Sequence, residues 1–168
     1  MAEWFELVDM SGRPVGCATR AACHRNTALL HRVVHVIVVN HAGEIYLQKR
    51  AQSKDIQPGK WDTSVGGHVC PGEHALAAAR REMREELGIA GAPLMPLHEY
   101  IWRSDVESEY VTTFLCRHDG PFALNKDEID EGRWWPFLEI WGRLGSGAFT
   151  PNCVEELRRY TSDAAATA

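Results

Sequence analysis

Apolar and polar positions divide the chain into several short alternating runs, one long β-branched run and one long helical run. Residues 33–39 (VVHVIVV) are apolar on both faces and predict a central strand covered from both sides. Before them, residues 4–9 read as a short strand, 10–14 as a turn and 15–19 as the returning strand, an N-terminal hairpin over 4–19. Residues 20–32 read as a short helix or loop. Residues 40–43 turn into 44–50, where Ile45, Leu47 and Lys49 alternate with Tyr46 and Gln48 as in a hairpin partner. The polar, turn-rich segment 51–60 leads to a short strand over 61–65. Further on, 97–103 and 109–116 read as strands joined by an acidic segment. Residues 127–132, before Trp134-Trp135-Pro136-Phe137, receive no element. Residues 138–144 and 151–160 read as helices, and the small, polar tail 161–168 is expected to be unstructured. With no repeat and no second boundary, residues 1–160 read as one α/β (α+β) domain, a mixed β-sheet sandwiched between helices.

The net charge of −5 argues against a nucleic-acid polymer as partner, because such binding needs a basic footprint. Cys17, Cys23, Cys70, Cys116 and Cys153 are scattered and odd in number, which predicts reduced, buried thiols rather than a disulfide framework. No apolar run reaches the length of a membrane span and no signal peptide is evident, so no membrane partner and a cytoplasmic location are expected.

The chemistry concentrates in residues 67–89, GHVCPGEHALAAARREMREELGI. Residues 74–87 lack glycine and proline and are rich in helix formers. Pro71-Gly72 supplies a turn, Glu73 puts negative charge at the positive end of the helix, and Gly88 ends it. Glu82, Glu85 and Glu86 stand at i, i+3 and i+4, on one face at roughly 100° per residue. Three carboxylates there repel one another and sit near the negative end of the helix dipole. They are either a solvated face offset by Arg80, Arg81 and Arg84, or oxygen ligands for a hard ion such as Mg2+ or Mn2+.

The whole stretch matches the Nudix box, G-x5-E-x7-R-E-U-x-E-E-x-G-U, with Met83 and Ile89 at the apolar U positions. The chain therefore resembles a Nudix hydrolase. The resemblance implies the Nudix fold and a metal-dependent attack of water on a diphosphate, with Mg2+ or Mn2+ as cofactor. It implies metal ligands at Glu82, Glu85 and Glu86, with the Gly66 carbonyl added, and catalytic roles for Glu82, Glu86 and Glu109. Glu82 or Glu109 is the implied general base. Gly67, Glu73, Arg81 and Gly88 would be structural, with Arg81 orienting a box carboxylate and Glu73 bracing loop and helix.

Outside the box, residues 6–116, with the phrase LLHRVVHVIVVN…GEIYLQKRAQSKDIQPGKWDTSVGGH, are similar to isopentenyl diphosphate isomerases and their hydrolase-like bacterial relatives. That resemblance implies a second metal site at His24, His31, His68, Glu107 and Glu109, a set suited to Mn2+, Zn2+ or Fe2+. If extended, the segment around Ser108 puts both glutamates on one face. The resemblance also implies phosphate contacts at Arg50 and Lys54. Trp61 either covers the substrate or packs in the core. His35 and His41 match nothing and read as ordinary polar residues. Two departures point to hydrolysis: Gly66 stands where isomerases carry a catalytic cysteine, with Cys70 four residues further on, and the box is intact. The expected activity is hydrolysis of a nucleoside diphosphate derivative or other small organic diphosphate by a monomer or homodimer. An isomerase and a non-catalytic binding module are the alternatives.

Overall fold

The computed structural model describes residues 2–166, with side chains described as far as Ser162. Its centre is β3 (Leu30–Val39), which is hydrogen-bonded to four other strands. The hairpin β1 (Trp4–Val8) and β2 (Pro14–Thr19) lies beside its N-terminal end, with Leu7 opposite His31. The short helix α1 (Arg20–Cys23) follows, with the Thr19 side chain accepting from the amide of Ala22 as its cap. β4 (Ile45–Arg50) and β6 (Val65–His68) run antiparallel to β3, and the two-residue β5 (Trp61–Asp62) pairs with β4.

Helix α2 (Ala75–Leu87) then leads to the hairpin of β7 (Leu94–Arg103) and β8 (Ser108–Arg117). β8 lies parallel to β3 along its whole length, pairing His31 with Glu109 and His35 with Thr113. β9 (Ile129–Trp135), α3 (Phe137–Arg143) and α4 (Pro151–Ala166) complete a nine-stranded mixed sheet with helices on both sides.

The doubly apolar pattern of β3 is what the layering uses. Val34, Val36 and Val38 face Ala78, Ala79, Met83 and Leu87 of α2. Ile37 and Val39 point the other way, into a cluster with Ile140 of α3 and Cys153 and Leu157 of α4. Alternate residues of one strand thus fill two separate cores, as period-two geometry requires.

Gly88 ends α2 at φ 71°, the left-handed conformation that glycine adopts without steric cost. The chain after β8 returns to this end. The amides of Ala123 and Asn125 donate to the carbonyl oxygens of Leu87 and Glu86 at 2.9 and 3.0 Å.

Several sequence expectations are corrected. The strand expected over 61–65 is two strands, β5 and β6, because Thr63 and Ser64 turn the chain between them. β9 was not anticipated; its sequence, IDEGRWW, is broken by charges and a glycine, and pairing with β4 stabilises it as a strand. Helix α4 continues to Ala166, so residues 161–166 belong to it rather than to an unstructured tail, and 167–168 lie outside the described residues. Cys23, Cys116 and Cys153 are buried, but Cys17 and Cys70 are exposed, on the edge strand and in the turn before α2. Among the described residues, no helix is long and apolar enough to cross a membrane.

Candidate active site

A cleft of about 680 Å3 opens over β6 and the last turns of α2. The segment after β4, the turn between β7 and β8 and the first residues of α4 form its walls. Glu82, Glu85 and Glu86 all line it.

Arg81 joins the helix to the strand before it. Its Nε and Nη2 donate to the two carboxylate oxygens of Glu73 at 3.1 and 3.0 Å, and Nη2 also donates to the His68 carbonyl at 2.9 Å. Its Nη1 reaches Glu82 at 2.6 Å and Glu85 at 3.3 Å. Glu73 also accepts from the amide of Cys70, so one ion pair spans the loop and the helix. Gly67 leaves room for Glu82: a Cβ there would stand 2.0 Å from the Glu82 carboxyl carbon. Burial raises the pKa of Glu82.

Glu86 is the buried member of the three. One oxygen accepts from Gln48 Nε2 at 2.7 Å and from the Gly66 amide at 3.4 Å, and among the described residues no cationic side chain is bonded to it. Burial, with the Glu82 charge next, pushes its pKa up to about 8. Glu82 and Glu85 share Arg81 Nη1, while Glu86 stands apart from that pair.

Two tight sets do form nearby. Ligand atoms of His24, His31 and His68 lie within 4.8 Å of one another, and so do those of His31, Glu107 and Glu109. The first histidine comes from the end of α1, the second from β3 and the third from β6. The parallel seam between β3 and β8 sets His31 beside Glu109, and Glu107 stands just before β8. Phe5 of β1 stacks on His68, with centroids 3.7 Å apart and planes 7° from parallel.

The atoms at the centre of these sets are buried and make no well-formed hydrogen bond: Nε2 of His24 and of His31, which stand 3.1 and 3.8 Å from one Glu107 oxygen, that oxygen itself, and an oxygen of Glu109. Such groups cost free energy unless something satisfies them, and a divalent cation would satisfy all of them together. Burial moves each pKa toward the neutral form. His31 falls to about 4 and His68 well below its ordinary value, while Glu107 and Glu109 rise. The donor set therefore fits a metal ion that accepts nitrogen and oxygen ligands.

The remaining expected site residues divide. Arg50 and Lys54 line the cleft, but each already has an anionic partner, Asp62 for Arg50 at 2.9 Å and Glu128 for Lys54. Trp61 does not line the cleft. Its ring, half-buried, meets Trp135 edge-on at 5.0 Å and packs against the core cluster of α3 and α4. No cysteine lines the cleft. His35 is not an ordinary polar residue of the surface: it is buried, lines the cleft floor and bonds to Glu156 of α4 at 2.8 Å. A polar residue inside the apolar run 33–39 was the available signal.

Comparison with known proteins accords with this geometry. The model of the NUDIX domain matches residues 29–154. An uncharacterized Nudix hydrolase of Yersinia pestis is 37% identical over 155 residues, 92% of this chain and 84% of that protein. An isopentenyl-diphosphate Delta-isomerase of Photorhabdus laumondii is 34% identical over 145 residues, 83% of this chain and 81% of that one. Among solved structures, DR0079 of Deinococcus radiodurans superposes with a TM-score of 0.82 at 28% identity, covering 94% of this chain and 98% of that chain. The matched region contains the box, Glu107 and Glu109, and on these grounds the chain belongs to the Nudix hydrolase family, in the branch that resembles isopentenyl diphosphate isomerases.

Proposed function

We propose that the protein hydrolyses the diphosphate linkage of a small organic diphosphate, such as a nucleoside diphosphate derivative, with divalent metal ions as cofactors. The observation that carries this reading is one cleft lined by the three box glutamates and by His24, His68, Glu107 and Glu109, which with the buried His31 form a histidine–carboxylate cluster. Glu82, Glu85 and Glu86, with the Gly66 carbonyl, would hold Mg2+ or Mn2+; His24, His31, His68, Glu107 and Glu109 would hold a second ion. Bound metal would neutralise charge on the phosphoryl oxygens and lower the pKa of water for in-line attack.

The chain's own groups do the rest. Arg81 holds Glu82 against Gly67, and Gln48 and the Gly66 amide fix one oxygen of Glu86. Glu109, whose pKa is raised by burial and by Glu107, or Glu82, raised by burial, would take a proton. Arg50 and Lys54 would exchange their carboxylate partners for phosphate oxygens. A thiol-dependent isomerase is disfavoured because no cysteine lines the cleft.

The test is turnover of a panel of diphosphates, isopentenyl diphosphate included, with Mg2+ or Mn2+, beside a Glu86→Gln control. Metal-dependent product release that disappears in the variant is expected. Silence across the panel from folded, metal-loaded protein would overturn the hydrolase reading, and allylic rearrangement without phosphate release would replace it with the isomerase.

A further inference from the structure

Helix α4 places Glu156 in the interior, fully buried, with both oxygens engaged. Oε2 lies 2.8 Å from His35 Nδ1 and accepts from the hydroxyls of Tyr100 at 2.7 Å and Thr113 at 3.1 Å. Oε1 lies 2.7 Å from His98 Nε2. A carboxylate accepting from so many donors is ionised, and these bonds hold its pKa below the ordinary value despite burial. Burying a charge in this way carries a desolvation cost, and an apolar replacement is often as stable. Stability alone is therefore a weak reason for the arrangement.

What the arrangement does is orient one ring. With Glu156 accepting, Nδ1 of His35 carries the hydrogen directed at α4; against burial, the Glu156 carboxylate raises the pKa of the ring, and the imidazolium carries a second N–H at Nε2, on the edge turned to the cleft floor. His35 pairs with Gly66 across β3 and β6. A Cβ on Gly66 would stand 3.4 Å from His35 Cδ2 and 3.8 Å from Nε2, so glycine leaves that edge uncovered. No described residue bonds to Nε2. The Gly66 amide on the same strand reaches Glu86, so the edge stands beside the box carboxylates.

We propose that His35 is a substrate-contacting residue, meeting the phosphate chain through Nε2, and that Glu156 is the positioning residue that sets its ring. This rests on the diphosphate reading above and adds a contact to it that the box does not contain. Asparagine at 35 separates the two ring nitrogens, since its amide reaches the place of Nδ1 and keeps the bond to Glu156 but has nothing at Nε2. His35→Asn is expected to melt within a few degrees of the wild type and to lose about ten- to a hundredfold in kcat/KM, the worth of one hydrogen bond to a charged group. A folded His35→Asn protein with wild-type kcat/KM would overturn the proposal.

A second measurement uses the wild-type protein and so does not depend on the variant folding. Ring 15N shifts of the histidines are followed while methylenediphosphonate is added in the presence of Mg2+. Movement of the His35 Nε2 resonance with Nδ1 held nearly constant supports the proposal. Movement at His24 or His68 with His35 unchanged overturns it while leaving the diphosphate reading intact. No movement at any of them overturns both.

Discussion

Gly67 offers the sharpest test of how the box is built. Replacing it with alanine puts a methyl 2.0 Å from the Glu82 carboxyl carbon, 2.2 Å from an oxygen and 2.4 Å from Cγ. Carbon atoms make favourable contact at about 3.5–4.0 Å, so the carboxyl group must retreat by roughly 1.5 Å. The obstacle is the end of a flexible side chain rather than backbone, and Arg81 keeps its bonds to Glu73 and to the His68 carbonyl when Glu82 moves. The fold should therefore survive. Losing the bond from Arg81 to Glu82 and straining one rotamer should cost about 1–2 kcal/mol, a fall in Tm of a few degrees for a chain of this size. Activity should suffer far more, because a displacement of about 1 Å at a reacting centre costs on the order of a hundredfold. The assay is metal-dependent turnover of the best panel substrate by Gly67→Ala, with Mn2+ binding followed by EPR and the melt recorded beside it. A variant that melts normally and turns over substrate like the wild type would refute the view that Gly67 exists to seat Glu82.

Glu86→Gln should remove at least about a hundredfold of kcat while leaving the fold intact, since a buried amide in that place removes a charge that burial disfavours; an active variant would exclude Glu86 as a ligand. Adding Mn2+ to chelator-treated protein should raise Tm, by about 2.7 kcal/mol of linkage at a hundred times Kd, and the rise should shrink in His31→Ala; equal rises in both proteins would place the ion elsewhere. The pH dependence of stability should separate wild type from Glu156→Gln. The folded pKa of Glu156 is depressed, so its contribution is present above the ordinary value of 4.5 and is lost as pH falls through the folded value. The difference in Tm between the two proteins, full at pH 6, should narrow below pH 4.5, and a gap that stays flat down to pH 3 would contradict the sign.

Residues whose roles depend on local pattern were legible in the sequence. The uninterrupted helical run fixed α2, and the doubly apolar run fixed β3, because each pattern is set by the period of its own element. Glu107 and Glu109 follow the same logic once the segment is extended. What escaped depends on partners distant in sequence. β9 is a strand only because β4 pairs with it, and Trp61 belongs to the core only because Trp135 and Phe149 arrive from behind it. His35 looks like any isolated histidine until α4, more than a hundred residues later, brings Glu156 to its Nδ1. The resemblance supplied the histidine and glutamate positions, while the parallel register of β3 and β8, which a single sequence does not encode legibly, is what sets His31 beside Glu109.

The return of the chain to the end of α2 has a mechanical consequence. The carbonyls of Glu86 and Leu87, which a free helix end would offer to water, are taken by Asn125 and Ala123. Asn125 and Glu128 also border the cleft, and Glu128 holds Lys54. A substrate that draws Lys54 away releases Glu128, and any lift of that segment then pulls on the last turn of the helix and on the backbone of Glu86 itself. Opening of the cleft wall and the pitch of the box carboxylates would thus be geared to each other through two amide hydrogens.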